Sequence, residues 1–524
     1  MTETKAHIIF TNGQILTQDL DQPQVGELAI RDDHILAAGD DLSHLRDGQT
    51  QVVDLDGAVL TPGFIDAHLH FIWGGQGLLS IPIQNARSRE QFMQIVSEYV
   101  QDMKPGSWIQ GNGWNENILE EKILPNKAWL DEAAPGFPII LIRHDGHSAI
   151  VSSEALRIAG INSDTPDPMG GVIDRDNDGQ ATGILRDSAM NLVSQHIPDD
   201  SREDLERHFL AAQQYLLENG VTTVCDMIYD LEHFRLFQEL AQAGKLKVRI
   251  TAYLPLLKWP EIKTLMAEGM YQDEWIQFKG LKGFCDGSLG SHTALMLKPY
   301  EDTPDETGIY DSDWEDVNLV RSIIDEADQQ GLQVVIHAIG DRANREVLDL
   351  FEEISNKNGE RDRRFRVEHA QHVHPQDQGR FRDLDVIASM QPAHCLDDSL
   401  YAENLLGDRC EYAYPFKSIL NSKAQLVLGS DWPVSPADPL LSIHAALHRN
   451  NWIMNEAIGF EQALDGHFQS AAHAIFREGE LGVLKAGAKA DLTVLKPEFL
   501  ELPTSKNQPH DLIQKVYVNG KETI

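Results

Sequence analysis

Eight short apolar runs fill the middle of this sequence, and amphipathic stretches separate most of them. One such stretch, at 316–332, places its apolar residues at helical spacing. Strands that alternate with helices in this way are typical of a (β/α)8 barrel, an α/β fold also called a TIM barrel. The runs predicted as barrel strands are 61–70, 222–228, 248–254, 281–287, 334–340, 364–370, 385–391 and 425–431.

Both ends of the chain instead show short strand-like runs separated by Asp, Asn and Gly. An Asn-Gly pair at 12–13 lies between two apolar runs and predicts a β-hairpin, and another stands at 519–520. We therefore expect residues 1–60 and 481–524 to form one small β-sandwich domain. The predicted barrel domain covers 61–480.

A large insertion follows the first predicted barrel strand. About 150 residues separate that strand from the second one, far more than an ordinary strand-to-helix connection. The segment has apolar runs of its own at 107–115 and 138–153. It predicts a folded subdomain within residues 75–215 that lies as a lid over the barrel mouth.

The acidic composition limits the expected partners. The chain has 82 acidic and 44 basic residues, a net charge of −38, which repels polyphosphates and anionic lipids. We expect a small-molecule substrate and no binding to nucleic acid or membranes, with a homodimer left open. Four widely spaced cysteines without a CxxC pair, and no signal-like start, suit the cytoplasm.

The first predicted strand ends in His68-x-His70. Residues i and i+2 of a strand face the same side, so the two imidazoles can converge on one point, although two polar residues at a strand end would look the same. His337, His369 and Asp431 favour a site, because each stands near the end of another predicted strand, where barrels place catalytic groups. Such ligands suit Zn²⁺, with Mn²⁺ and Fe²⁺ as alternatives.

Lys282 lies in the fourth predicted strand and shares a face with Phe284 and Asp286. A charge inside a barrel is costly unless it is paired or chemically modified. Two alternatives are open. Lys282 is unmodified and either pairs with Asp286 or snorkels, with its charged end reaching out of the interior, or it is carbamylated and bridges two metal ions. The number of divalent ions, one or two, depends on this choice.

Phrases along almost the whole chain resemble the amidohydrolase superfamily, in particular the branch of N-substituted formamide deformylases. That resemblance implies a metal site made by His68, His70, Lys282, His337, His369 and Asp431. The chain departs from the branch at Ile150 and Ser152, where an aromatic residue and an asparagine are usual. The phrases are GNGWNEN, HSAIVSSEAL, LKGFCDGSLGSHTA, HAIGDRA, VEHAQ, MQPAH, GSDWPVSPADP and LGVLKAGAKADLTVL.

The implied reaction is hydrolysis of a non-peptide C–N bond, as in an N-substituted amide or formamide. A bound divalent metal supplies hydroxide at neutral pH, and Asp431 acts as general base and then general acid. His337 is expected as a ligand or as a stabiliser of the oxyanion. A heterocycle deaminase with the same metal site, and a non-catalytic binding or regulatory protein on a hydrolase scaffold, are the alternatives.

Five further residues are candidates for substrate binding because they stand in the insertion or after barrel strands. For Trp114, packing in a core is the alternative, and for Arg342 it is a surface ion pair. For His147 the alternative is an ordinary polar turn. The candidates are His147, Trp114, Asp286, His394 and Arg342.

Overall fold

The computed structural model describes residues 5–524, except for the side chain of residue 102, and these residues contain four β-sheets. The N-terminal part contributes strands to two of them. The first sheet has the order β5-β4-β1-β6, and β2, β3 and β7 belong to another. The strands are β1 (Ile8–Thr11), β2 (Gln14–Leu16), β3 (Gln24–Val25), β4 (Glu27–Arg31), β5 (His34–Gly39), β6 (Gln51–Asp54) and β7 (Val59–Pro62).

The predicted hairpin at Asn12-Gly13 is wrong. Strand β1 pairs with β4 and β6, whereas β2 pairs with β3 and β7, so the turn carries the chain from one sheet to the other. A Cβ atom at Gly13 would stand 2.6 Å from the carbonyl oxygen of Ala58 and from Leu55. Glycine is therefore required by close packing between the sheets and not by a hairpin turn.

The first barrel strand is followed by the insertion, which forms a five-stranded sheet with the order β12-β13-β11-β10-β9. Separate apolar clusters pack within this part of the chain. The elements are β8 (Phe64–Leu69), α1 (Phe71–Leu79), α2 (Arg89–Tyr99), β9 (Ile109–Trp114), α3 (Lys127–Ala133), β10 (Ile139–Arg143), β11 (Ser148–Val151), α4 (Ser153–Ala159), β12 (Gly171–Arg175), β13 (Ala181–Asp187), α5 (Asn191–Ser194) and α6 (Arg202–Glu218).

Seven more parallel strands continue the sheet that β8 begins, in the chain order expected of a (β/α)8 barrel. The elements are β14 (Val221–Met227), α7 (Leu231–Gln242), β15 (Arg249–Pro255), α8 (Trp259–Glu268), β16 (Ile276–Phe284), α9 (Val317–Gln329), β17 (Gln333–Ala338), α10 (Asp341–Asn358), β18 (Arg366–His369), α11 (Pro375–Asp383), β19 (Ile387–Met390), α12 (His394–Asp398), α13 (Ala402–Leu406), α14 (Phe416–Asn421), β20 (Leu426–Leu428), α15 (Pro439–His448), α16 (Phe460–His467) and α17 (Gln469–Ala474).

The C-terminal strands return to the small β domain. Strands β21 (Leu492–Leu495), β22 (Ile513–Val518) and β23 (Lys521–Glu522) join β7, β2 and β3 in a six-stranded sheet. Residues from both sheets and both ends of the chain, among them Phe10 and Tyr517, share one apolar core. The second Asn-Gly pair joins β22 and β23 as a hairpin.

Two predicted barrel strands begin three or more residues away from their predicted start. Thr61 and Pro62 pair with the C-terminal strand β21, so β8 begins only at Phe64, after Gly63. Strand β16 begins five residues earlier than predicted because its first residues pair with β15. None of the helices in the described part of the chain is long and apolar enough to cross a membrane.

Candidate metal centre

Three predicted ligands meet where the barrel closes. The backbone N–H of Asp431 donates a 2.7 Å hydrogen bond to the carbonyl of His68, which joins the end of the last strand to the first. Oδ1 of Asp431 consequently lies 3.4 Å from Nε2 of His68 and 3.2 Å from Nε2 of His70. All three side chains are buried, and one ligand atom from each lies within 4.8 Å of the others.

Hydrogen bonds on the far side of each imidazole orient both rings. Nδ1 of His68 lies 2.5 Å from Glu368, and Nδ1 of His70 lies 2.9 Å from the carbonyl of Met227. These contacts place the ring proton on Nδ1, so each Nε2 turns a lone pair towards the carboxylate. Within residues 5–524, Nε2 of His68 and Oδ1 of Asp431 have no hydrogen-bond partner. Buried acceptors that face one another in this way fit a bound cation.

A second group of ligand atoms uses the other oxygen of Asp431. Oδ2 lies 3.8 Å from Nε2 of His394 and 3.9 Å from Nδ1 of His369. One ligand atom from each of these three residues again lies within 4.8 Å of the others. The structure therefore places His394, a predicted substrate-binding residue, among candidate metal ligands, with Asp431 shared between two groups.

Two of these residues have unusual backbone conformations. His369 has φ 73° and Asp431 has φ 59°, values in the left-handed region that non-glycine residues seldom adopt. His369 is the last residue of β18 and Asp431 lies three residues after β20, and the positive φ turns each side chain towards the barrel mouth. Local strain of this kind is concentrated at functional sites.

Lys282 and His337 lie beside the two groups. Nζ of Lys282 is buried without a hydrogen-bond partner in the described chain and lies 4.5 Å from the ring centre of Phe284. Burial lowers its pKa to about 8. The ring of His337 lies 4.3 Å from that of His369, and its Nε2 is 3.2 Å from the carbonyl of Gly287.

Asp286 does not pair with Lys282, so the predicted ion pair is wrong. Its carboxylate instead accepts hydrogen bonds from the backbone N–H groups of Leu295, Ile339 and Gly340. The side chain is fully buried, and burial raises its pKa to about 7. Asp286 therefore holds two loops together below the mouth, and the prediction that it contacts substrate does not agree with its position.

Charge keeps the catalytic candidate Asp431 ionised. Burial alone would raise the pKa of Asp431, but while no metal is bound the charge and hydrogen bond of protonated His68, together with a hydrogen bond from His70, hold it well below its usual range. A bound cation would take the place of the proton on Nε2. Burial also opposes ionisation of Glu368, yet Arg366 lowers its pKa to about 2. Both carboxylates are thus anionic at neutral pH, as a cation site requires.

His147 is the substrate candidate that the structure brings to the centre. Its ring lies 5.2 Å from that of His337, and its Nδ1 donates to Asp187 over 2.6 Å. Burial disfavours the charged imidazole, but Asp187 raises the pKa of His147 to about 9. The side chain therefore offers a cationic N–H donor to the site at neutral pH.

Trp114 and Arg342 lie away from the centre, which corrects both predictions. Trp114 packs in a core of the insertion, where its indole N–H donates to the carbonyl of Leu141. Arg342 pairs with Glu346 and donates to the hydroxyl of Tyr310. Trp114 is therefore a core-packing residue, and Arg342 forms a surface ion pair.

The two departures from the formamide deformylase pattern are structural. Ile150 packs in an apolar core of the insertion, and Ser152 caps helix α4 by accepting a hydrogen bond from the N–H of Ala155. Neither residue lines the two cavities at the barrel mouth. These positions therefore carry no information about the substrate.

Two cavities adjoin the centre. A narrow one of about 40 Å³ is lined by His337, His369 and Asp431 together with residues of the insertion and of α12. A larger one of about 420 Å³ lies beside His70. Its walls include Tyr229, which stacks on His70 with ring centres 4.6 Å apart. No sequence motif pointed to Tyr229 or to Glu368 as a site residue, although Glu368 stands next to His369.

The barrel and the His/Asp centre at its mouth define a hydrolase-type metal site. The sequence profile of the amidohydrolase family matches residues 51–524, so this chain belongs to the amidohydrolase family. The resemblance seen in its sequence phrases is thereby confirmed.

Relatives cover nearly the whole chain. It is 38% identical to Protein LONG AFTER FAR-RED 3 of Arabidopsis thaliana, over 99% of this chain and 91% of that protein. It is 25% identical to the N-substituted formamide deformylase of Arthrobacter pascens, over 90% and 89% respectively. The crystal structure of an uncharacterized metal-dependent hydrolase from Pyrococcus horikoshii OT3 matches with 27% identity and a TM-score of 0.77, over 96% of this chain and 100% of that one.

Proposed function

We propose that the protein is a metal-dependent amidohydrolase that cleaves a non-peptide C–N bond in a small molecule. The observation that carries this proposal is the convergence of the Nε2 atoms of His68 and His70 on one oxygen of Asp431. The likeness to an N-substituted formamide deformylase supports an N-substituted amide or formamide as the substrate class.

The donor atoms suit a divalent transition metal such as Zn²⁺. His68, His70 and Asp431 would hold one ion, and His369 and His394 would hold a second together with the same carboxylate. When bound, such an ion lowers the pKa of water and polarises a carbonyl oxygen.

The protein's own groups then move the proton and stabilise the charge. Asp431, anionic at neutral pH, accepts the proton of the attacking water and passes it to the leaving nitrogen. His147 is charged because of Asp187 and lines the narrow cavity, where its free N–H can donate to the developing oxyanion. His337 packs between His147 and His369 and fixes their separation.

Lys282 is proposed as a carbamylation site. Its lowered pKa leaves part of the amine neutral near pH 8, and a neutral amine is the form that attacks carbon dioxide. The nitrogen forms a bond to the carbon of CO₂ as one C–O π bond opens onto oxygen, and the nitrogen loses one proton to solvent. The product is an anionic carbamate, whose charge the bound metal ions would balance, whereas the unmodified ammonium is buried without a hydrogen-bond partner in the described chain.

Product analysis with an Asp431→Asn control tests the proposed function. Metal-loaded protein should release an acid and an amine from some member of a panel of N-acyl and N-formyl amines. The variant should retain the fold and lose about 10²–10⁴-fold of the rate, the usual contribution of acid–base catalysis. Release of ammonia from heterocyclic amines would point to the deaminase instead, and no hydrolysis of any compound would point to a binding protein.

A further inference from the structure

The narrow cavity contains a carboxylate that no protein group neutralises. Asp397 lines this cavity beside His369 and Asp431. It lies three residues after His394 in α12, so both side chains are on the same side of the helix. Across residues 5–524, its carboxylate accepts no hydrogen bond and has no basic group within ion-pair distance.

The neighbouring residues Asp398 and Asp145 both have hydrogen-bond partners, unlike Asp397. Asp398 accepts hydrogen bonds from the hydroxyls of Tyr401 at 2.5 Å and Tyr414 at 2.7 Å. Asp145 is held by Arg143 at 2.6 Å and by two serine hydroxyls. Asp397 is only partly buried, but its carboxylate lines a confined cavity and has no hydrogen-bond or ion-pair partner among the described residues, so a cation from outside the chain can complete its interactions.

Arg143, a cation close to Asp397, is already occupied by other partners. It makes two hydrogen bonds to Glu116, of 2.6 and 2.9 Å, besides its contact with Asp145. It lies near enough to lower the pKa of Asp397 somewhat, but burial is the larger effect and raises that pKa to about 6. At neutral pH the carboxylate is therefore ionised and lacks a full counter-charge.

His144 provides a second unused group on the same cavity. Its Nε2 is buried and has no hydrogen-bond partner among the described residues. Burial, followed by the nearby charge of Arg143, lowers its pKa to about 4, so the imidazole is neutral and one ring nitrogen is an acceptor. The cavity thus presents a carboxylate and a neutral imidazole, while the cationic His147 on its wall is already paired with Asp187. The carboxylate and the neutral acceptor together suit a donor with several N–H groups.

We propose that Asp397, assisted by His144, binds an ammonium group of the substrate, so that preferred substrates are amides that carry a basic nitrogen. An alkylammonium suits the site better than a bulkier cation because the cavity measures only about 40 Å³. The protein's net charge of −38 also attracts cationic molecules to its surface. This inference rests on the proposed function only where it refers to turnover.

The test compares Asp397→Asn with Glu403→Gln, which removes the same charge from an exposed position outside the cavity. The ligands are n-butylammonium and uncharged 1-butanol, measured by calorimetry on the metal-loaded protein. Wild type and Glu403→Gln should bind butylammonium more tightly than butanol. Asp397→Asn should bind butylammonium about 10- to 100-fold more weakly, since a hydrogen bond to a charged group is lost.

Equal butylammonium binding by Asp397→Asn and wild type, or no preference of wild type for the cation, would overturn the inference. Asp397→Ser serves as a second variant if the first does not fold. Turnover separates this result from the proposed function. If amides are hydrolysed but a terminal ammonium gives no advantage in kcat/KM, the inference fails and the function stands. If no amide is hydrolysed, the function fails and the binding result still decides the inference.

Discussion

Glu368 connects a predicted metal ligand to a buried arginine. One oxygen of its carboxylate lies 2.5 Å from Nδ1 of His68, and the other lies 2.7 Å from Nε of Arg366. All three side chains are completely buried. The ion pair of Glu368 and Arg366 orients His68 and increases its basicity, as carboxylates do when they accept a hydrogen bond from a metal-binding histidine.

Replacing Glu368 with glutamine should therefore weaken metal binding. We expect the Zn²⁺ affinity to fall about 10- to 100-fold, measured by competition with a chelator. The free energy of unfolding should fall by about 3–5 kcal/mol, since Arg366 is left without its counter-charge. The exposed control Glu403→Gln should change neither quantity, and an unchanged affinity in Glu368→Gln would contradict the assigned role.

Lys282→Met tests the proposed carbamate. The substitution keeps an unbranched side chain of similar length and removes the amine. If Lys282 carries a bridging carbamate, the variant should bind one metal ion fewer than wild type, measured by elemental analysis. Wild type prepared with bicarbonate should show a mass gain of one CO₂ on the peptide that contains Lys282, lost on acidification. Equal metal content in both proteins would exclude the bridge.

Asp187→Asn should change the pH profile of the reaction. Asp187 raises the pKa of His147 to about 9, against the opposing effect of burial, so the charged imidazole is retained up to that pH. The alkaline fall in kcat/KM should begin near pH 9 in wild type and at a lower pH in the variant. An alkaline limb at the same pH in both would show that His147 does not stabilise the oxyanion.

His372 should make the fold sensitive to acid. Both ring nitrogens lack partners within the described chain, and burial lowers its pKa to about 3. Because the folded pKa lies below the unfolded value near 6.5, the unfolded state takes up the proton first. Stability is then lost as the pH falls below 6.5, at about 1.4 kcal/mol per unit.

The variant His372→Phe should remove that dependence. Between pH 7 and pH 5 its free energy of unfolding should fall by about 2 kcal/mol less than that of wild type. Denaturant titrations at the two pH values measure the difference. The exposed His510→Phe is the control and should behave as wild type. Identical pH dependence in His372→Phe and wild type would contradict the explanation.

The positions of His68, His70 and Asp431 at strand ends could be predicted from the sequence. The hydrophobic pattern indicates the order of the strands, and the turn residues indicate where each strand ends. The meeting point of the three residues follows from barrel closure, which brings the last strand beside the first. Apolar runs of the strand type also stand in the insertion and at both ends of the chain, where the structure has further β-strands.

The partner of His68 could not be predicted in the same way. Strand alternation points either Glu368 or His369 into the barrel, but not both. The structure places both inside because His369, the last residue of β18, has a positive φ that turns its side chain inward. A backbone conformation of that kind depends on tertiary contacts, so the pattern of residues does not reveal it.

The prediction of a hairpin at Asn12-Gly13 was wrong for a related reason. Its residues fit a hairpin, yet the neighbouring strands find better partners in two different sheets. The prediction that Trp114 and Arg342 bind substrate does not agree with their positions, because a place near a motif does not establish where the side chain points. Burial in the insertion and a local ion pair decided their contacts.

Titration of metal-free protein with Zn²⁺, followed by the rate of amide hydrolysis, tests the central claim most directly. We expect no turnover without metal. The rate should rise with added Zn²⁺ and reach a plateau at a stoichiometric ratio of metal to protein. In His70→Ala, which lacks one of the converging ligands, the rate should not rise when Zn²⁺ is added. A rate that is independent of Zn²⁺ in the wild-type protein, or the absence of any Zn²⁺ binding, would contradict the account.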